Sequence, residues 1–380
     1  MKSFVEFFAG VGLVREGLSS LGWECLLAND ISSDKRDVYE ENYGSEEFLL
    51  ENVWELTKNI NRVPDAFLYT ASFPCTDLTV AGAQAGLAGS ASGTLNAVLD
   101  ILQQKVDTGK EPSVVLLENV RGFLSSHKGQ DIINTVGIFN SLGYVVDLLE
   151  LDAIDFSAQS RPRVFLIAVK KSLASQCMTV LSVNEGLNET SLKPSKIRPG
   201  RVINIIKKNS NLLWGSFNIE PPVSSSKRLK DIVEEITEHH SVQWWSEERK
   251  EKLYEQMNEK HRSYLASMCK SSTPAYATAF RRMRNGFPMV ELRVDGFAGC
   301  LRTPRGGSSK QILIKGHDRT WSVRFLTPRE CARLQGVRDS YILPDNDNKS
   351  YFAMGDAVSV PVIEYIASEI LEAIYNVGRK

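Results

Sequence analysis

The chain has no two cysteines in C-x-x-C spacing, and its six cysteines (Cys25, Cys75, Cys177, Cys269, Cys300 and Cys331) are scattered over 380 residues. That sparseness excludes a disulfide framework and offers no structural zinc site, so free thiols in a reducing compartment are expected, without a metal. Room for a signal peptide is missing too, because Glu6 interrupts the first apolar run; a cytoplasmic location is expected. A membrane span is not found either. The uncharged stretch from Leu78 to Leu99 is mostly Gly, Ala, Ser and Thr, which reads as a loop leading into a helix. What the chain does hold is length, its 380 residues being enough for two domains or one large domain with a substantial insertion, and a 42% hydrophobic content that supports a proper core.

Net charge is nearly absent at −1, but only as a sum. Residues 1–170 carry 13 Lys and Arg against 23 Asp and Glu, whereas residues 171–380 carry 32 against 23. Within residues 260–323 the count is 12 against 3, with Arg281, Arg282, Arg284, Arg302, Arg305 and Lys310 among the cations. Such asymmetry is the footprint of a polyanionic partner, although a solvated charged face gives the same count.

Short apolar runs at 4–8, 25–29, 66–71, 114–117, 144–151 and 164–169 suit buried strands, and helical patterns at 13–21, 33–43, 93–105 and 128–142 separate several of them. This βαβ rhythm predicts an α/β fold, a doubly wound, mostly parallel sheet with helices on both faces. The rhythm stops near Lys170. From there to about Thr320 the pattern is irregular, with one helix predicted over 243–260, and reads as an inserted second domain. Helical order returns at 327–336 and at 360–375, the latter spaced to pack on the sheet.

Chemistry concentrates where strands end. Ser72-Phe73-Pro74-Cys75 follows one apolar strand and Glu118-Asn119-Val120 ends another, so a thiol and a carboxyl converge on the crevice that open parallel sheets form at their carboxyl ends. A lone cysteine is more often a small buried hydrophobe than a nucleophile. Phe8-Ala9-Gly10-Val11-Gly12 opens a helix after the first strand, letting backbone approach a ligand closely. The third glycine of a dinucleotide fingerprint would fall at Arg15, which disfavours a pyrophosphate cofactor. Asp30 suits a ribose diol or a helix N-terminus. Arg163, in Gln159-Ser160-Arg161-Pro162-Arg163, suits a carboxylate such as Glu118 or a polar heterocycle. Residues 327–336 read as a capped helix, with Thr327 as cap, Pro328 at the first position, Glu330 closing a capping box and Gly336 as terminator.

In this order and spacing the segments resemble the DNA cytosine-5 methyltransferases of bacterial and phage restriction-modification systems, over nearly the whole chain. F-A-G-x-G at 8–12, F-P-C at 73–75, E-N-V at 118–120, Q-x-R-x-R at 159–163, T-P-R-E-C-A-R-L-Q-G at 327–336 and Gly355-Asp356-Ala357-Val358 carry the resemblance. It implies a methyltransferase fold with a catalytic and cofactor-binding domain at 1–170, a target recognition domain and hinge at 171–339, and a segment at 340–380 returning to the catalytic domain. It implies methyl transfer from S-adenosyl-L-methionine to a flipped cytosine by Cys75, Glu118, Asn119, Arg161 and Arg163. Cofactor contacts are implied for Phe8, Ala9, Gly10, Gly12, Leu13, Asp30, Ile31, Asn52, Leu95, Ala357 and Val358. For DNA, the candidates are Arg281, Arg282, Arg284, Arg302 and Arg305. The implied partner is double-stranded DNA at the nucleoid, with room for a cognate restriction endonuclease, no membrane, and a monomeric enzyme.

The chain departs from the family pattern at Leu13, where a second consecutive Gly is usual, and at Thr76, where Gln commonly follows the cysteine. Asn52 replaces an Asp, Ser92 an Arg, and Asp356 and Ser359 replace Asn and Pro. Two rival readings are an RNA cytosine-5 methyltransferase on the same fold and a catalytically silent DNA-binding regulator. The insertion of about 150 residues argues against the first; joint retention of Cys75, Glu118 and Arg163 argues against the second.

Overall fold

A computed structural model of the protein describes residues 1–75, 86–89, 91–181, 192–284, 286–304 and 310–379. The chain divides into two compact units: residues 1–152, 162–223 and 362–380 form the first, and residues 153–161 and 224–361 the second.

The first unit is built on a sheet of β1 (Ser3–Phe7), β2 (Glu24–Asp30), β3 (Phe48–Leu50), β4 (Leu68–Ala71), β5 (Val114–Val120), β6 (Tyr144–Asp152), β7 (Pro162–Lys170), β8 (Thr179–Leu181) and β9 (Trp214–Ser216). Their spatial order is β3-β2-β1-β4-β5-β7-β6-β9-β8. From β1 to β5 all neighbours are parallel, as the βαβ rhythm predicts. β7 instead runs antiparallel to both β5 and β6. The short connection 153–161 explains the reversal, since a parallel return needs a crossover of a dozen or more residues.

Helices α1 (Leu13–Ser19), α2 (Ser33–Tyr43), α3 (Val53–Lys58), α4 (Leu95–Asp107), α5 (Gln130–Ser141), α6 (Lys171–Cys177) and α7 (Gly200–Lys208) join the strands. α4 shows why: Leu95, Val98, Leu99 and Leu102 recur at helical spacing and are all buried, each contributing about 1.5–3 kcal/mol relative to exposure. Its buried Lys105 is tolerated because Nζ donates to Val63 O and Asp65 Oδ1, both at 2.6 Å. The C-terminal helix Glu372–Gly378 returns to this unit as its spacing predicts, stacking Tyr375 on Trp23 and Phe67 while Glu372 accepts from Trp23 Nε1 at 3.1 Å.

The second unit holds a four-stranded antiparallel sheet where the sequence reads as irregular. Its strands are β10 (Ala275–Arg284), β11 (Phe287–Arg293), β12 (Ile312–His317) and β13 (Thr320–Phe325), in the order β11-β10-β12-β13. The helix predicted over 243–260 is two helices, α8 (Glu247–Glu255) and α9 (Glu259–Cys269), capped by Ser246 and Asn258. Leu253, Met257 and Leu265 pack with Ala279, Val290, Leu292, Ile312, Ile314 and Val323 into a core of their own.

α10 (Pro328–Leu334) forms with the predicted capping box of Thr327 and Glu330. Glu330 does more than cap. It is fully buried with Arg324, which donates to both its carboxylate oxygens at 2.6 and 2.7 Å. α11 (Asp347–Asp356) follows α10 along the chain. Among the described residues, no helix is long and apolar enough to cross a membrane.

Candidate active site

Register sets the site. Phe7 pairs with Asn29 and Ala71, and Ala71 pairs with Leu117, so these four residues form one row across parallel strands β2, β1, β4 and β5. The next residue on each strand is Asp30, Phe8, Ser72 and Glu118. Motifs that lie far apart in sequence therefore emerge at one edge of one sheet, the carboxyl edge that binds ligands in open α/β folds.

β7 completes the edge from the opposite direction. Val120 pairs with Arg163 and Glu118 with Phe165, so Glu118 and Arg163 project from the same face, and Arg163 Nε lies 2.9 Å from Glu118 Oε1. Both side chains are largely buried, at 10% and 15% exposure, where a charge-assisted contact holds geometry better than at a wet surface. Asn119 turns inward: its Nδ2 donates to Phe73 O at 2.9 Å and its Oδ1 accepts from Val120 N at 2.8 Å. The segment leading to half-buried Cys75 is thereby tied to the strand that carries Glu118.

Two further residues hold that segment. Ser92 is fully buried and its Oγ donates to Pro74 O at 2.8 Å, and Phe73 stacks edge-on against Phe123 at 5.4 Å. From the sequence Ser92 reads only as a missing cation; its small hydroxyl, followed by a helix, is the available signal of a tether. Thr76 and the rest of 76–85 lie outside the described residues. Leu87 N in turn donates to Asp131 Oδ2 at 3.2 Å.

The glycine loop divides its labour. Gly12 has φ +81, and a Cβ there would meet Tyr43 at 2.6 Å and Tyr39 at 2.9 Å. Gly10 has φ +59 but faces space, with nothing nearer than Lys35 at 4.0 Å. Phe8 also takes a positive φ, 58°, a strain that clusters at ligand sites. Asp30 Oδ2 accepts from Gly10 N and Oδ1 from Ser32 N, both at 2.9 Å, so the carboxylate braces the glycine loop against Ser32, the residue that caps the following helix. Ile31 is 68% exposed next to it. Asn52 is exposed and caps α3, its Oδ1 accepting from Trp54 N at 3.1 Å. Ala9, Leu13 and Leu95 are buried, Leu95 within the main core.

Other candidates fall in the second unit. Arg161 is 3% exposed, and its guanidinium donates to the carbonyls of Leu301, Gly355 and Ala357 at 2.7 to 3.1 Å. These bonds tie the guanidinium to three backbone carbonyls. Gly355 is needed because a Cβ would press on the backbone of Arg302 and Thr303 at 2.6 Å, while Val358 is buried. Arg302 is exposed, and Arg305 lies outside the described residues. Arg281 is half-buried, donating to Gln256 Oε1 at 3.2 Å over the Trp245 ring; Arg282 and Arg284 are exposed on the hairpin of β10 and β11.

Residues 2–372 match a family model described as C-5 cytosine-specific DNA methylase. Among relatives, the type II methyltransferase M.HhaI of Haemophilus parahaemolyticus is 26% identical over 377 residues, covering 99% of this chain and 94% of the relative. M.HpaII of Haemophilus parainfluenzae is 25% identical over 395 residues, covering 98% and 90%. A solved structure of a Spodoptera frugiperda DNMT2 variant superposes with a TM-score of 0.62 at 16% identity, covering 99% of this chain and all of that one; it speaks for the fold. With the motif order, the sheet edge and a family match over nearly the full length in agreement, this chain belongs to the C-5 cytosine-specific DNA methylases.

Proposed function

We propose that this DNA cytosine-5 methyltransferase takes its methyl group from S-adenosyl-L-methionine, acts on a cytosine flipped out of a specific duplex sequence, and reads that sequence with its basic second unit. The observation that carries the reading is the Glu118–Arg163 pair beside a Cys75 segment tethered through Asn119.

The glycine loop fits the cofactor. Gly10 leaves open space where a side chain would stand, exposed Ile31 offers an apolar surface, and the Asp30 carboxylate has acceptor capacity beyond its two backbone donors. Phe8, Gly10, Asp30 and Ile31 would hold it. S-adenosyl-L-methionine supplies, when bound, an electrophilic methyl on sulfonium. Carbon 5 of cytosine is a poor nucleophile, so the Cys75 thiolate adds at carbon 6 and makes the ring electron-rich at carbon 5. Glu118 protonates or hydrogen-bonds ring nitrogen 3 as charge develops there, and Arg163 fixes both Glu118 and the base carbonyl. Carbon 5 would take the methyl as the sulfonium–methyl bond breaks, and loss of the carbon-5 proton to a base would then break the carbon 6–sulfur bond and release the Cys75 thiolate. Flipping costs a few kcal/mol of stacking and pairing, recovered from contacts with the base and with DNA. The enzyme works as a monomer, with or without a cognate endonuclease.

The test is covalent capture. Duplex DNA carrying 5-fluorocytosine should trap the wild-type chain, because fluorine does not leave as a proton does, and Cys75→Ala should abolish both trapping and methyl transfer while keeping cofactor binding. Trapping through another residue, or labelled methyl reaching tRNA and not DNA, would overturn the proposal.

A further inference from the structure

One face of the β10–β11 hairpin gathers three charges. Arg284 Nε and Nη2 donate to Glu291 Oε1 at 3.0 and 2.6 Å, and Arg282 Nε lies 3.6 Å from Glu291 Oε2. Register produces the cluster: Phe280 opposes Glu291, Arg282 opposes Met289 and Arg284 opposes Phe287, and opposed residues in a strand pair share a face. Arg282 also lies over the Phe280 ring at 4.5 Å. The other face sends Ala279, Val290 and Leu292 into the core. At the tip, Met283 and Phe287 are 66% and 69% exposed, and a cavity of about 450 Å³ opens against Arg284, Phe287 and Glu291.

Two neighbouring arginines alone would grip phosphate, which DNA presents everywhere. Glu291 changes that preference. A phosphate approaching Arg284 meets a full negative charge already in contact with the guanidinium, whereas a neutral base edge meets no such repulsion. Holding Nε and Nη2 on one carboxylate oxygen also fixes the plane of the fork, and a fixed fork matches the two acceptors of guanine. A two-stranded ribbon is narrow enough for the major groove, and exposed apolar tips such as Phe287 can contact bases there.

Resting on the DNA-reading role proposed above, we propose that Glu291 is a specificity-determining residue: it withholds Arg282 and Arg284 from phosphate and presents Arg284 to a guanine edge in the major groove. Glu291 touches no reacting atom and acts through the arginines.

The target is first found by letting the full-length wild-type enzyme methylate a randomised duplex library, followed by bisulfite sequencing. Glu291→Gln keeps shape but removes the negative charge. It should bind random-sequence duplex several-fold more tightly at low salt, with a salt slope steeper by about one to two. The ratio of target to non-target methylation should fall about tenfold or more. Arg284→Gln should relax one guanine position, and the double variant should discriminate no worse than Arg284→Gln alone. Equal weakening on all DNA, or an unchanged target ratio in both single variants with unaltered thermal unfolding, would overturn the assignment and leave Glu291 a brace of the hairpin. Failure of the underlying reading looks different, because wild-type enzyme would then methylate no duplex in the library.

Discussion

Asn119 donates through Nδ2 to the carbonyl of Phe73 at 2.9 Å, a bond between the strand that carries Glu118, the proposed general acid, and the segment that leads to Cys75, the proposed nucleophile. One side chain thus ties together the segments that carry the two proposed catalytic groups, alongside the Ser92 bond to Pro74 O. Asn119→Ala should leave a buried carbonyl unsatisfied, costing about 1–3 kcal/mol of stability. Loosening the Cys75 segment should slow covalent trapping by 5-fluorocytosine DNA by about 10–100-fold. A purely structural role would lower the melting temperature and leave the trapping rate of the folded fraction unchanged.

Glu118→Gln keeps the shape and a contact to Arg163 but removes the proton donor. Methylation should fall by about 10²–10⁴-fold, the range for losing a general acid, with DNA affinity little altered. Single-turnover transfer from labelled cofactor checks it; a rate within a few-fold of wild type would assign Glu118 to structure alone.

Glu6, buried in β1, has its carboxyl pushed up to about 8 by desolvation, against the opposing pull of Arg15. The folded chain therefore keeps a proton that the unfolded chain releases in the ordinary carboxylate range. Stability from this group is complete below that range and declines as pH rises through about 8. Urea midpoints should fall across that window in wild type and stay flatter in Glu6→Gln. Parallel curves for the two proteins would contradict the protonated assignment.

In the second unit, Glu330→Gln strands the Arg324 charge in a site with no exposure. Breaking such a pair costs about 3–5 kcal/mol, and denaturant titration should show it. Replacing both partners with apolar residues should recover part of the loss; a single-variant change under about 0.5 kcal/mol would show that the pair is compensated elsewhere.

The sheet edge was legible because buried parallel strands read as continuous apolar runs, and Val114-Val115-Leu116-Leu117 can hardly be anything else. The second unit's sheet was not. β10 exposes Arg282, Met283 and Arg284 at one end and buries Ala277, Thr278 and Ala279 at the other, so neither a clean alternation nor an apolar run marks it. The helix expected over 243–260 broke at Asn258, whose side chain caps α9, and at Met257, which bridges to Val290. Tertiary pairing overruled local periodicity there. Ser92 and Asn119 show a further limit: residue type hinted at polarity, but only the fold shows which carbonyl each one reaches.

The two glycines of the first loop answer to different authorities. Gly12 answers to Tyr39 and Tyr43, so a methyl group there is a folding lesion whatever else is present. Gly10 answers to open space, and with S-adenosyl-L-methionine lying over it as proposed, added bulk is mainly an occupancy lesion. In a genetic screen the first would surface as a cold-rescued allele and the second as one suppressed by raising cofactor supply, so two neighbouring glycines with the same backbone handedness would sort into separate phenotypic classes.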